Sequence, residues 1–373
     1  MCPYLLISIS SHGLGHLSQV GVILHEIARY KPCINLTIRT PHPEWTLRQW
    51  IPRDFDYWYA EDDVGMKMLS ALDVDIAGSE IAYRELHRDW NGKVSMLAAE
   101  LAARSVTHVL SDIAYLPLAA AQRNGLVNIA LCSLNWADVM QAYFHSEESK
   151  VWIDEARRVY KNVDVFIKPA PSMTMDWILP TVDVGPIGRV GVNRRQALLD
   201  RVKGAVSGSD VEPYFVLVGM GGLDFLIDIS KLPRICHGRQ VVYVVSESVG
   251  VTSSPVGVTV VSANLFENYQ DMVASVDLMI TKPGYGTFVE AAAAGTPILY
   301  IERPDWPDVP SLVHWFEKVG RCQGLSRELF EIGSLAKRIE EMLSQGRFTP
   351  VTLDGHERAA SIILDCFKSQ PAG

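Results

Sequence analysis

Residues 277–301 read DLMITKPGYGTFVEAAAAGTPILYI. Residues 278–281 are a short apolar run of the kind that forms a buried parallel strand. Lys282, Pro283, Gly284, Tyr285 and Gly286 then force a turn. Residues 288–294 are strong helix formers, and Gly295 stands where a helix ends. A second strand begins at residue 298. Strand, glycine turn and helix in this order aim free backbone N–H groups, and the positive end of a helix dipole, at whatever lies above the sheet. The matching guest is a phosphate. Glu290 lies one helical turn further in, out of place for a phosphate. It is well placed to accept hydrogen bonds from two neighbouring hydroxyls, as on a ribose.

The same grammar recurs on both sides. Residues 4–10 read as a strand that runs into SHGLGH at 11–16, and residues 20–30 follow with apolar positions at helical spacing. Strands are expected at 36–40, 108–111, 127–131 and 163–168. Helices are expected at 79–104, interrupted near 91–92, and at 116–123. Residues 54–75 and 135–144 read as loops that build a pocket wall. Residues 169–191 hold four prolines and three glycines and read as a linker. Beyond it, strands are expected at 213–218, 241–245 and 258–261, with GMGG at 219–222 after the first. Helices are expected at 268–275, 312–319, 334–343 and 356–367. Strands alternating with helices mean parallel α/β sheets. Two domains are expected, 1–180 and 181–352, with 353–373 forming a last helix that crosses back to the first.

The bulk numbers narrow the function. At 373 residues the chain exceeds one ordinary core. A net charge of −9 and a pI near 5.6 argue against nucleic acid as a partner. The six cysteines are scattered without a CxxC pair, so free thiols in a reducing, cytoplasmic setting are expected. No apolar run reaches the ~20 residues of a membrane span. Contact with a membrane surface is left open. Histidines, cysteines and carboxylates show no metal-ligand spacing, so no metal is expected. Neither a Walker pattern nor a GxGxxG with a spaced acidic residue is present, which disfavours ATPase and dehydrogenase chemistry.

Candidate chemistry lies just past the strands, where open α/β sheets bind ligands. One glycine turn alone also suits a tight connection that binds nothing; two in the second half, 219–222 and 282–286, could hold one diphosphate from both sides. His12 and His16 flank the first turn, and a histidine above a parallel sheet can act as a base near neutral pH. For His12, helix capping or a backbone bond fits equally well. Asp112 ends a strand in the same half and could orient a histidine, or cap the next helix. Leu265 and Phe266 could lie against a flat base, or pack in the core. Trp136 could line a sugar pocket, or belong to the core.

On these residues the chain resembles glycosyltransferases of the GT-B fold, in which two Rossmann-like domains face each other across a cleft. KPGYGTFVE, 282–290, matches in spacing the donor loop HCGWNSxxE of plant-type UDP-glycosyltransferases and the RxGxxTxxE-like loop of the peptidoglycan GlcNAc transferase. The resemblance implies that Gly284, Gly286 and Thr287 contact a diphosphate, with Lys282 and Tyr285 in the same loop and Glu290 on the ribose. It places Gly219, Gly221 and Gly222 in the first donor loop, and Leu265 and Phe266 by the base. GLGHLSQ resembles the family's GxGHxxP turn, with Gln19 where proline is usual. His16 is then the base, Asp112 in SDIAYLP its orienting carboxylate, and Gly13, Gly15 and Trp136 the acceptor side. SHGLGH, SDIAYLP and LNWADV also resemble the N-terminal region of plant arabinokinases. Where many members carry an Asp-Gln or His-Gln pair reading sugar hydroxyls, this chain has residues 307–311; Asp308 can serve as a hydroxyl acceptor and the glutamine is absent. The expected activity is metal-independent sugar transfer from a nucleotide-diphosphate sugar, UDP by preference, to an acceptor hydroxyl, the donor being a substrate and no cofactor being needed. Hydrolysis or epimerisation of the nucleotide sugar on the same fold, or binding without catalysis, are the alternatives.

Overall fold

Two sheets of continuous apolar strands carry the chain. The computed structural model describes residues 2–30, 32–203, 211–220, 225–246, 249–251, 259–262, 265–332 and 335–368. The first sheet contains β1 (Tyr4–Ile9), β2 (Asn35–Arg39), β3 (Asp56–Trp58), β4 (His108–Asp112), β5 (Val127–Leu131), β6 (Val165–Pro169) and β7 (Thr181–Val184). Their order is β3-β2-β1-β4-β5-β6-β7 and all pairings are parallel. Every residue of β4 and β5 is buried, as expected of strands covered on both faces.

The covering helices are α1 (Leu14–Arg29), α2 (Glu44–Trp50), α3 (Ile76–His87), α4 (Trp90–Ala103), α5 (Tyr115–Arg123), α6 (Trp136–Tyr143) and α7 (Glu147–Lys161). Leu97, Leu118, Trp136 and Trp152 fill one layer. Leu17, Val20, Ile23 and Leu24 of α1 fill the other.

The second sheet is built from β8 (Tyr214–Gly219), β10 (Ile235–Cys236), β11 (Arg239–Val245), β13 (Thr259–Ser262), β14 (Leu278–Thr281), β15 (Ile298–Ile301) and β16 (Cys322–Leu325); β9 (Phe225–Ile227) and β12 (Val249–Val251) form a separate pair. The order is β10-β11-β8-β14-β15-β16, with β13 on β11. The helices of this half are α8 (Arg195–Val202), α9 (Tyr269–Ser275), α10 (Tyr285–Ala294), α11 (Val309–Val319), α12 (Arg327–Ile332) and α13 (Ala336–Gln345); α14 (Gly355–Cys366) follows. Ala359, Ala360 and Ile363 of α14 pack with the α1 face of the first sheet.

In each sheet a central strand has neighbours on both sides that leave in opposite directions: β1 lies between β2 and β4, and β8 between β11 and β14. Such switch points open a crevice at the strands' carboxyl ends. Gly219 pairs with Thr281 there, so the two glycine turns of the second half start from adjacent strand ends.

Several elements differ from the sequence expectation. α1 starts at Leu14 rather than 20, because Gly13, at φ 83, turns the chain directly into the helix. His16 therefore sits in the first helical turn. The break expected near 91–92 in the helix 79–104 falls at 88–89, and the two resulting helices are each capped by an aspartate: Asp75 and Asp89 accept from Gly78 N and Gly92 N. α2, α6 and α7 were not anticipated, and 135–144 is helix α6 rather than loop. β7 joins the first sheet, which thus runs past the boundary expected at 180.

The free-cysteine expectation fails at one pair. Cys2 and Cys33 form a disulfide with Cα atoms 5.5 Å apart. The cause is register: Tyr4 pairs with Asn35, so the residues two positions before each strand also meet. This removes the thiol argument for a reducing compartment. Cys132, Cys236, Cys322 and Cys366 are free. No described helix is long and apolar enough to cross a membrane.

Candidate functional site

The N-terminal side of the crevice is built by strand ends. β1 and β4 are neighbours, with Ile9 opposite Asp112. The turn after β1 returns His16 in the first turn of α1, over the end of β4. The result is a dyad: His16 Nδ1 lies 2.8 Å from Asp112 Oδ1. Cys132, past the end of β5, brings its Sγ to 4.0 Å from the same nitrogen. His16 is buried and Asp112 fully so. Burial alone would lower the imidazole pKa, but the Asp112 carboxylate outweighs it and raises His16 well above its usual value. Nε2 is left without a protein partner among the described residues. Burial pushes the Cys132 thiol up, keeping it neutral. His16, Asp112 and Cys132 offer N, O and S atoms within 4.8 Å of one another, a grouping that sequence spacing did not reveal. The direct Nδ1–Oδ1 bond occupies the space between two of those donors.

Around the dyad lies a layer of aromatic rings. Trp136 is fully buried, and its Nε1 donates to Asp63 Oδ2 at 2.8 Å. Its ring meets His12 edge-on at 5.5 Å and His16 at 6.4 Å. Trp136 is thus a core residue whose ring backs both histidines. His12 is lowered to about 3, first by burial and then by the charges of His16, Lys282 and Arg303. It is therefore a neutral ring near physiological pH and a weak proton acceptor. Its other face stacks on Trp306 from the second half, centroids 5.5 Å apart and planes 7° apart. Asp63 is pushed up to about 6 by burial, opposed by Ser10 and Trp136. Gly13 and Gly15 are exposed beside the dyad.

The C-terminal side is the N-terminus of α10. Gly284 occupies the cap position with no side-chain cap, so the first N–H groups of the helix have no partner among the described residues. A Cβ added at Gly284 or Gly286 would meet nothing within 4 Å. The turn therefore opens on free space at a helix dipole's positive end. Thr287 lies in the first turn. Lys282, partly buried, is lowered to about 8 by burial and by Arg303. Asp308, at the start of α11, is pushed up to about 6 by burial, with Arg303 and Lys282 opposing.

Other expected residues have different duties. Tyr285 points away from the turn: its hydroxyl donates to Ala170 O at 2.9 Å and accepts from Ile187 N at 3.0 Å. It ties the linker to α10 and is not a donor contact. Glu290 is 5 % exposed. Gln270 Nε2 donates to its Oε1 at 2.7 Å, and burial pushes it up to about 7. One of the two oxygens expected to face a ribose is thus already engaged. Phe266 packs against the second-half core, whereas Leu265 is 41 % exposed. Gly219 ends β8; Gly221 and Gly222 lie outside the described residues.

Asp63, Cys132 and Arg303 were not singled out from the sequence. A signal was available for two of them: Cys132 and Arg303 each lie within two residues of a strand's carboxyl end, where ligands bind. Asp63 had none, since its role depends on Trp136, 73 residues away.

By sequence, no protein-family model matches the chain and no curated protein does. By structure, the chain is similar along its length to several GT-B enzymes. A UDP-glucosyltransferase from Polygonum tinctorium capable of glucosylating indoxyl gives a TM-score of 0.60 at 14 % identity, covering 99 % of both chains. Arabidopsis thaliana UGT89C1 complexed with quercetin gives 0.61 at 12 %, covering 99 % of this chain and 96 % of the other. CalG4, the calicheamicin glycosyltransferase, gives 0.57 at 12 %, covering 99 % of both. At these identities the likeness shows the fold: two Rossmann-like domains in the GT-B arrangement.

Proposed function

We propose that this GT-B chain transfers a sugar from a nucleotide-diphosphate donor, UDP by preference, to an acceptor hydroxyl. The observation that carries this reading is the His16–Asp112 dyad at 2.8 Å, set on a helix whose counterpart in the other half, α10, presents an open N-terminus. UDP-sugar and small-molecule complexes among structures of similar fold support it.

Asp112 accepts the Nδ1 proton of His16 and fixes the tautomer, leaving the Nε2 lone pair free. Nε2 takes the proton of the acceptor hydroxyl as its oxygen attacks the anomeric carbon. The bond from that carbon to the β-phosphate oxygen breaks, and the nucleotide diphosphate leaves with the electron pair. The unpaired N–H groups of α10, the helix dipole and the Lys282 ammonium stabilise the charge that develops there. The proposal assigns no metal and no cofactor to this step. The Asp112 carboxylate, outweighing the cost of burial, stabilises the imidazolium that proton transfer produces.

The test is transfer or donor turnover by the full chain, followed as release of nucleotide diphosphate from a panel of nucleotide sugars with small phenolic and alcoholic acceptors. The reading predicts acceptor-dependent release that His16→Ala abolishes. Release that is independent of acceptor and unaffected by His16→Ala contradicts it.

A further inference from the structure

The segment between β15 and α11 carries a cation that this mechanism leaves unused. Arg303, two residues past β15, is 4 % exposed. Its guanidinium lies over the Trp306 ring, 4.2 Å from the centroid, and Nη2 approaches Met68 Sδ at 3.7 Å. Nε is buried with no hydrogen-bond partner. Among the described residues Arg303 forms no ion pair, although a buried charge without a hydrogen-bonded counterion is costly. Of the carboxylates that face it, Asp73 is paired with Arg327, Asp305 accepts from the Tyr143 hydroxyl at 3.0 Å, and Asp308, raised to about 6 by burial, forms no ion pair with it.

Lys282 adds to the imbalance. Its ammonium makes no hydrogen bond or ion pair among the described residues, and the nearby Arg303 charge helps to lower its pKa. Two cations held near each other in a partly dry crevice repel, and an arriving anion relieves that repulsion. The leaving diphosphate already has the α10 N–H groups and Lys282. Arg303 sits further along, on the segment whose Trp306 stacks against His12, beside His16. The transferred sugar must lie between the leaving phosphate and His16, which is that side. A neutral sugar leaves a guanidinium there with hydroxyls alone, whereas a carboxylate takes two parallel N–H bonds from the fork.

We propose that Arg303, in the positive field it shares with Lys282, binds a carboxylate on the transferred sugar, so that the donor is a nucleotide-diphosphate hexuronate. This rests on the nucleotide-sugar reading above and goes beyond it by naming the sugar class.

The experiment is calorimetric titration of the full chain, and of Arg303→Gln and Arg303→Lys, with UDP, UDP-glucose, UDP-glucuronate and UDP-galacturonate, with circular dichroism melts to confirm folding. At least one uronate is expected to bind about tenfold or more tighter than UDP-glucose. Arg303→Gln removes that preference while UDP itself still binds within about twofold, and Arg303→Lys keeps part of it because charge survives without the planar fork. Equal affinity of UDP-glucose and both uronates overturns the proposal. So does an Arg303→Gln variant that loses UDP as strongly as uronate, which would assign the arginine to the diphosphate. If the wild-type chain binds no UDP species, the nucleotide-sugar reading itself falls, a result distinct from UDP binding without a uronate preference.

Discussion

The two glycine turns that face the crevice, residues 11–16 and 282–286, have the same local build and different chemistry. Each follows the central strand region of a parallel sheet, each turns through glycine, and each opens a helix without a side-chain cap. Helix α1 brings a histidine into its first turn and meets an aspartate and a cysteine from the neighbouring strand ends. Helix α10 brings glycine and threonine into its first turn and meets a lysine and an arginine. The difference comes from one residue of each turn, His16 and Lys282, together with what the nearby strand ends deliver. In the function proposed above, one turn handles a proton and the other an anion.

The largest expected effect tests the proton-handling side. His16→Ala lowers the transfer rate by about a thousandfold, within the range ascribed to general-base catalysis, with donor affinity little changed. Steady-state kinetics with saturating acceptor measures it. A further loss of rate is expected from Asp112→Asn, which keeps the shape but loses the charge and the tautomer it fixes.

The same variant sharpens the comparison through pH. His16 is raised above the ordinary histidine value, so it carries a proton at low pH and cannot act as a base. The rate should rise with pH through a midpoint above about 6.5. In Asp112→Asn that midpoint moves down, because the imidazolium loses its counterion. The stability contribution has the opposite sense: with a raised folded pKa it is full below the unfolded value and is lost as pH rises through the folded one. A pH-rate profile identical in both proteins would detach Asp112 from His16.

On the anion side, Gly286→Val puts a branched side chain into the space above α10 and weakens donor binding by about tenfold or more, without touching the dyad. The smallest effect is on stability. Gly295 ends α10 at φ 70, and a Cβ there would lie 2.3 Å from Phe348 O. Gly295→Ala should cost about 1–3 kcal/mol in chemical denaturation, while leaving donor binding by the folded fraction intact.

Much of this was legible because parallel strands covered on both faces read as unbroken apolar runs. β5, β14 and β15 begin and end at the expected residues. The dyad was legible too, since a histidine after the first strand and an aspartate ending another are both local features. What escaped was whatever depends on distant partners. Trp136 was ambiguous until Asp63 was seen to hold its indole. Tyr285 looked like part of the turn, but its hydroxyl is used by Ala170 and Ile187, roughly a hundred residues earlier. α6 was hidden because it is short and starts at a tryptophan, although Asn135 caps it through Asp138 N. Arg303 was invisible as a buried cation because its burial comes from Trp306 and from Met68, 235 residues away. The disulfide escaped because strand register is not a property of either cysteine.

The division of labour between the turns is tested most directly by titrating UDP calorimetrically into the wild-type chain, His16→Ala and Gly286→Val. The account predicts that UDP binds the wild type, binds His16→Ala nearly as well, and binds Gly286→Val at least about tenfold more weakly. Loss of UDP binding in His16→Ala with retention in Gly286→Val would contradict it.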